Sequence, residues 1–231
     1  YGSNPFSTSL VDFEPFGLDK MIEELSYRIE SGSIVFVEGR AGSGKSSLLG
    51  SIITRFRGKG KVIYFDCGAI EKDVNIGQLM RERYGFFGKL LNIIPKDMIL
   101  LLDNVQYLSK KNSDRIKYYF DNGFIKSAVF TGEVYKRIKL PRGITERIGS
   151  RVIALKPLSD DLAVEAIKAR IGSKLMATEI IMKVYKLSGK NMKKCLENCS
   201  RLCEKYIKSS EDSISESNIK EFFGGKHGTM V

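Results

Sequence analysis

Gly39-Arg40-Ala41-Gly42-Ser43-Gly44-Lys45-Ser46 decides how this chain reads, because it is a complete Walker A motif. Ahead of it, Ile34-Val35-Phe36-Val37 is an apolar run of strand length. Behind it, Leu48, Leu49, Ile52 and Ile53 recur at helical spacing, so the loop joins a buried strand to a helix. The physical use of that arrangement is phosphate binding. Glycines let successive backbone N–H groups turn inward on a polyphosphate, and the helix that follows presents its positive end. Gly39, Arg40, Ala41, Gly42, Ser43 and Gly44 form the cradle, and Lys45 supplies a point charge for the β- and γ-phosphates. Ser46 is the hydroxyl expected on Mg2+, and Ser47 stands at the helix start near the α-phosphate. ATP with Mg2+ is the ligand this implies.

Downstream, Val62-Ile63-Tyr64-Phe65 reads as a second strand and Met98 to Leu102 as a third. The third ends in Asp103-Asn104, the form of a Walker B motif, in which Asp103 holds Mg2+. A hydrolytic site would place an acid next to that aspartate. An amide can orient water but cannot accept its proton, so Asn104 predicts slow turnover, and Asn104→Glu is expected to speed it. A fourth strand, Ala128-Val129-Phe130, leads to Thr131, a polar residue placed to sense the γ-phosphate or its water. A fifth, Val152 to Leu155, follows a segment dense in Lys136, Arg137, Lys139, Arg142, Arg147 and Arg151. The predicted fold is α/β, a parallel five-stranded P-loop sheet sandwich over residues 1–157 followed by a small α-helical lid over 158–231.

Upstream of the loop, Leu18, Met21, Ile22, Leu25 and Ile29 predict a helix. Phe6, Phe16 and Gly17 before it either border an adenine or simply pack. Two further stretches also carry two readings. Arg55 to Lys61 is a basic turn that is either solvated or in contact with phosphate backbone, and Gly85-Phe86-Phe87-Gly88-Lys89 is either core or a stacking surface. After Pro157 the pattern turns helical. Ser188-Gly189-Lys190-Asn191 separates two helices and caps the second, whose stripe of Cys195, Cys199 and Cys203 reads as core rather than as a metal site. Ser213 to Phe223 predicts a short last helix, before a frayed end.

The chain has 231 residues, 42% of them hydrophobic, and a net charge of +11. That is enough apolar content for a core, and the charge favours an anionic partner, nucleic acid above all. No run approaches the roughly 18 apolar residues of a membrane span, and no leader sequence is recognised. Unpaired thiols beside an ATP motif predict a reducing, cytoplasmic setting.

The order of these motifs resembles the AAA+ ATPases over nearly the whole chain. Leu102-Asp103-Asn104-Val105-Gln106-Tyr107-Leu108 is similar to the Walker B of the bacterial initiator DnaA and of ExeA-like ATPases. Glu146-Arg147-Ile148, followed by Lys156-Pro157-Leu158-Ser159, is similar to the stretch joining arginine finger to lid in ExeA, TniB and TnsC-like ATPases and archaeal origin-recognition proteins. The resemblance implies that Arg147, with Arg151 as second choice, reaches a neighbouring subunit's nucleotide. It also implies that Lys193 stands where the family has its sensor 2 arginine. Nothing after the lid has the length of the initiators' helix-turn-helix domain, so the expectation is a core separated from that domain or a stand-alone one. The implied function is an ATPase of the initiator, loader or transposition-regulator type that assembles with ATP into a ring or filament, acts on or with DNA, and is recruited by a protein partner. The alternatives are a protein remodeller or secretion-associated motor, and a nucleotide switch that does not hydrolyse.

Overall fold

A computed structural model describes Phe6 and residues 16–57, 61–69, 76–82, 95–207 and 213–224. The aromatic stretch 85–89, the glycine-flanked centre of the basic turn at 58–60 and the end after 224 lie outside the described residues. The chain packs as two compact units. One comprises Leu18–Arg40 and Lys45–Lys156; the other comprises Pro157–Val231 with the N-terminal residues through Gly17 and the loop residues Ala41–Gly44.

The first unit is a parallel sheet with helices. In chain order it holds α1 (Asp19–Glu30), β1 (Ile34–Glu38), α2 (Lys45–Phe56), β2 (Val62–Asp66), α3 (Ile76–Glu82), β3 (Met98–Asp103), α4 (Lys110–Asp121), β4 (Ile125–Gly132), α5 (Arg142–Ile148) and β5 (Val152–Ala154). The sheet order is β2-β3-β4-β1-β5, and every pairing is parallel. Parallel strands covered on both faces read as near-continuous apolar runs, and β3 obeys this from Met98 to Leu102, with all six residues through Asp103 buried. Side chains nonetheless alternate between faces. Ile34, Phe36, Leu100 and Leu102 enter one core with Ile116, Phe130 and Ile144, whereas Val35, Val37, Ile99 and Leu101 enter the other with Leu25, Leu48, Leu49 and Ile52.

Among the elements of this unit that differ from the sequence reading are one strand and one helix. β4 begins at Ile125 rather than Ala128, since exposed Lys126 and buried Ser127 interrupt its apolar run. Helix α4 carries no clear signal in sequence, because its buried face includes Asn112 and Ser113 beside Ile116 and so lacks an apolar stripe. Its start is fixed by Ser109, whose side chain accepts from the Asn112 N–H at 3.2 Å.

The second unit contains α6 (Asp160–Ile171), α7 (Thr178–Leu187), α8 (Met192–Tyr206) and α9 (Glu216–Gly224). Ser159 and Asn191 cap α6 and α8 by accepting from Leu162 N and Lys194 N. Its core gathers Ile167, Ile181, Val184, Tyr185 and Leu202, with Cys195 and Cys199 buried among them and Cys203 half-buried alongside. Phe6 packs against the same core, and Gly17 lies against Leu158 and Leu162. No helix among the described residues is long and apolar enough to cross a membrane.

Candidate functional site

The chemistry converges at the C-terminal ends of four neighbouring strands. In a parallel sheet these ends all face one way. Hence β1 delivers Gly39, β2 Asp66, β3 Asp103 and Asn104, and β4 Thr131 to one rim of the first unit.

Asp103 is the centre of this rim. It is 1% exposed, a burial that a carboxylate tolerates only when donors surround it. Ser46 Oγ donates to its Oδ2 at 2.5 Å, and Tyr64 Oη donates to the same atom at 3.5 Å. Its Oδ1 accepts from the Asn104 N–H at 3.1 Å and from the Thr131 hydroxyl, which itself accepts from the Asn104 N–H at 3.2 Å. Burial, followed by the charge of Asp103, pushes the Tyr64 phenol well above its usual range, so it stays a donor here. The Cys67 thiol is pushed up to about 12 by burial and then by Asp66 and Asp103, which keeps it protonated.

Lys45 is 7% exposed. Its Nζ donates to Gly39 O at 2.7 Å and to Arg40 O at 3.0 Å. Burial lowers its pKa, while Asp103 and Glu133 act in the opposite direction. Helix α2 starts at Lys45, so the loop ahead of it meets a helix N-terminus. Gly42 and Gly44 adopt φ of 72° and 97°, the region that side chains avoid. Within the helical unit, Asn191 Nδ2 donates to Ala41 O at 3.0 Å and Met192 N to Gly42 O at 3.2 Å. A methyl group on Gly42 would stand 1.8 Å from Asn191 Oδ1, so glycine is required there for space as well as conformation. Asn191 was legible in sequence only as a cap.

One observation in the sheet unit fits a magnesium-bound triphosphate: the Ser46 hydroxyl and Asp103 carboxylate meet. Separately, Ser43 Oγ is buried with no partner among the described residues. Arg40, Ala41, Ser46 and Ser47 are otherwise exposed.

Asn104 itself sits in the left-handed region at φ 56°, ψ 47°, where asparagine is among the few tolerated residues. Its Nδ2 donates to Asp66 Oδ1 at 2.9 Å, and that same oxygen accepts from the Gly68 N–H. Sequence reasoning missed Asp66 entirely.

The arginines stand elsewhere. Arg147, on α5, pairs with Asp121, donates to Gly143 O at 2.6 Å and lies over the Phe120 ring at 5.7 Å. Arg151 donates to Arg147 O at 2.7 Å. Lys193 is exposed on the first turn of α8, and Phe16 is half-buried.

No family model matches this sequence, and no curated protein sequence does. Solved structures do. The structure is similar to Orc1 of Aeropyrum pernix in complex with DNA, with a TM-score of 0.68 at 13% identity over 94% of this chain and 67% of that one. The RuvB Holliday junction branch migration motor of Thermotoga maritima gives 0.67 at 14% identity, over 94% and 73%. Domain III of the Thermotoga maritima replication initiation protein DnaA gives 0.66 at 17% identity, over 94% and 96%. Cdc6p of Pyrobaculum aerophilum gives 0.65 at 12% identity, and this chain spans 65% of its length. What this chain shares with all four is the fold, a five-stranded parallel sheet with surrounding helices and further helices after it.

Proposed function

We propose that this chain is an ATP-binding AAA+ ATPase that acts on or with DNA and self-associates when ATP is bound. The observation that carries the reading is the meeting of Ser46, Asp103 and Thr131 at the strand ends of a sheet whose P-loop lysine, Lys45, is buried. Ser46 and Asp103 would hold Mg2+, which supplies charge neutralisation on the β- and γ-phosphate oxygens. Lys45 would exchange its two carbonyl partners for phosphate oxygens, a move its burial favours because a desolvated cation gains more from an anion than from amide dipoles. Gly42, Ser43 and Gly44 offer backbone donors. Thr131 would report on the γ-phosphate through Asp103.

The net charge of +11 supports nucleic acid as the partner. Arg147 is the proposed finger toward a neighbouring subunit. It must first leave Asp121, so ATP-driven assembly competes with an intramolecular ion pair. The non-hydrolysing switch is the second reading, favoured by the amide at 104.

Calorimetry of Mg-ATP binding to wild type and Lys45→Ala, followed by ATP turnover with and without DNA, tests the proposal. Wild type binds and the variant does not. Equal binding by both sinks the assignment, and binding without turnover selects the switch. DNA affinity that is insensitive to salt between about 50 and 200 mM would argue for a protein substrate instead, since counterion release makes phosphate contacts steeply salt-dependent.

A further inference from the structure

Asn104 holds the place of the usual acid, and its side-chain geometry is more constrained than that of a free amide. Its Nδ2 faces Asp66 Oδ1 at 2.9 Å. A carboxylate only accepts, so the donor end of the amide must point toward Asp66 and the acceptor end away from it. Asn104 Oδ1 accepts no hydrogen bond from the described residues, and it is not among the buried oxygens lacking a partner. The backbone reinforces the pose. Asn104 N is held by Asp103 Oδ1 and by Thr131 Oγ1, and its φ of 56° aims the side chain from a left-handed residue. Asp66 is positioned for this by register alone: it pairs with Asp103 across β2 and β3, 38 residues from Asn104 in sequence. The Gly68 N–H, at 2.9 Å, pins the same Asp66 oxygen and so fixes the acceptor in turn.

We propose that Asp66 is a positioning residue that orients the Asn104 amide, so that Asn104 Oδ1 becomes the acceptor that aims the attacking water. This rests on the ATPase reading above. In the step it serves, the water oxygen forms a bond to the γ-phosphorus. The bond from that phosphorus to the β,γ-bridging oxygen breaks, its electron pair leaves with ADP, and the water's proton passes to the phosphate product. The amide takes no proton. It accepts one hydrogen bond from the water and turns the oxygen lone pair toward phosphorus, which is the contribution of orientation rather than of general base. The arrangement also separates roles: Asp103 would hold the metal, Thr131 and the Asn104 N–H hold Asp103, and Asp66 sets the amide.

The test is Asp66→Asn against the exchange variant Asp66→Asn/Asn104→Asp. An amide at position 66 still accepts from Gly68 N, so the turn survives, but it can offer its own N–H to Asn104 Oδ1 and reverse the amide. Turnover is expected to fall about tenfold to 100-fold with affinity for Mg-ADP unchanged, since misplacement of a reacting group by about 1 Å costs on that order. In the exchange variant the amide at position 66 donates to one oxygen of the carboxylate at position 104 and leaves the other as acceptor. Turnover should return to within about threefold of wild type. Asparagine and aspartate both tolerate the left-handed backbone, so neither change strains position 104. A readout independent of turnover is the side-chain amide resonance of Asn104 in nucleotide-free protein. One proton, bonded to a carboxylate, lies downfield of its partner in wild type and loses that shift in Asp66→Asn.

Wild-type turnover in Asp66→Asn, or an exchange variant no faster than Asp66→Asn, overturns the positioning role. So does a wild type that binds Mg-ATP and hydrolyses none with DNA present. Failure of the wild type to bind Mg-ATP sinks the nucleotide reading instead, and the amide resonance then still decides whether the Asp66 pair exists.

Discussion

Substituting Asn104 by glutamate separates what the sequence suggests from what the geometry allows. From sequence alone the change restores an acid beside Asp103 and should accelerate hydrolysis, by about 100-fold if general-base catalysis is the missing element. The structure points the other way. Asn104 lies at φ 56°, ψ 47°, and a glutamate held there costs on the order of 1 kcal/mol more than asparagine. The substitution also deletes the Nδ2 bond to the Asp66 carboxylate, a charge-assisted bond worth about 2 kcal/mol. It places two carboxylates side by side, with no cation paired to Asp66 among the described residues. The sum is a loss of about 3 kcal/mol before repulsion is counted. In a chain of this size that lowers the melting temperature of the sheet unit by roughly 6–12 °C. Scanning calorimetry of wild type and Asn104→Glu, paired with turnover at saturating Mg-ATP, checks both halves. We expect a less stable protein that hydrolyses no faster. A variant that melts with the wild type and turns over faster would show that the pair with Asp66 is not formed in solution, and the reasoning from position 104 would fail with it.

Two further outcomes follow from buried groups. Tyr185 is fully buried and its hydroxyl donates to Leu158 O at 3.0 Å, so Tyr185→Phe should lower the urea midpoint of the helical unit by the equivalent of about 1–2 kcal/mol. An unchanged midpoint would mean that water takes over the carbonyl. Cys67, whose thiol is raised from 9.0 to about 12, should be alkylated on the order of 1,000-fold more slowly in native protein at about pH 8 than in urea. By linkage its contribution to stability is complete below pH 9 and is lost as pH rises toward 12. Labelling at the free-thiol rate would place Cys67 outside the core.

The sheet was legible because its physics is local. Runs such as Met98 to Leu102 are apolar throughout, as burial on both faces demands, and the glycine loop marks where β1 gives way to α2. The stripe that predicted α1 likewise enters the core at Leu18, Leu25 and Ile29, with Met21 and Ile22 packed against it. What was not legible had its apolar signal diluted or depended on tertiary register. Helix α4 hides because Asn112 and Ser113 occupy buried positions where a stripe would be read. The Asp66–Asn104 pair hides because nothing in sequence sets the register of β2 against β3. Arg147 was legible as a charge but not as one already engaged with Asp121, 26 residues earlier.

Convergence itself follows from the strand order. β2, β3, β4 and β1 are consecutive neighbours in space, and each ends in, or leads directly into, a residue the site uses: Asp66, Asp103, Thr131 and Gly39. β5 stands beyond β1, ends at Ala154 and contributes no polar side chain at that rim. A parallel sheet therefore does with topology what a loop would have to do with conformational entropy: it brings groups from positions 39, 66, 103 and 131 together on backbone already held by ladder hydrogen bonds. The groups closest to the β3 end are also the most tightly bound to one another, since both Asp103 oxygens and the Asn104 N–H have partners. Two atoms stand apart from that network: Lys45 Nζ, held by carbonyls, and Asn104 Oδ1, which accepts from nothing among the described residues while its amide is pinned by Asp66. On the proposed reading, those are the atoms that a triphosphate and its attacking water would engage, while the groups that hold the Asp103 carboxylate stay bound to one another.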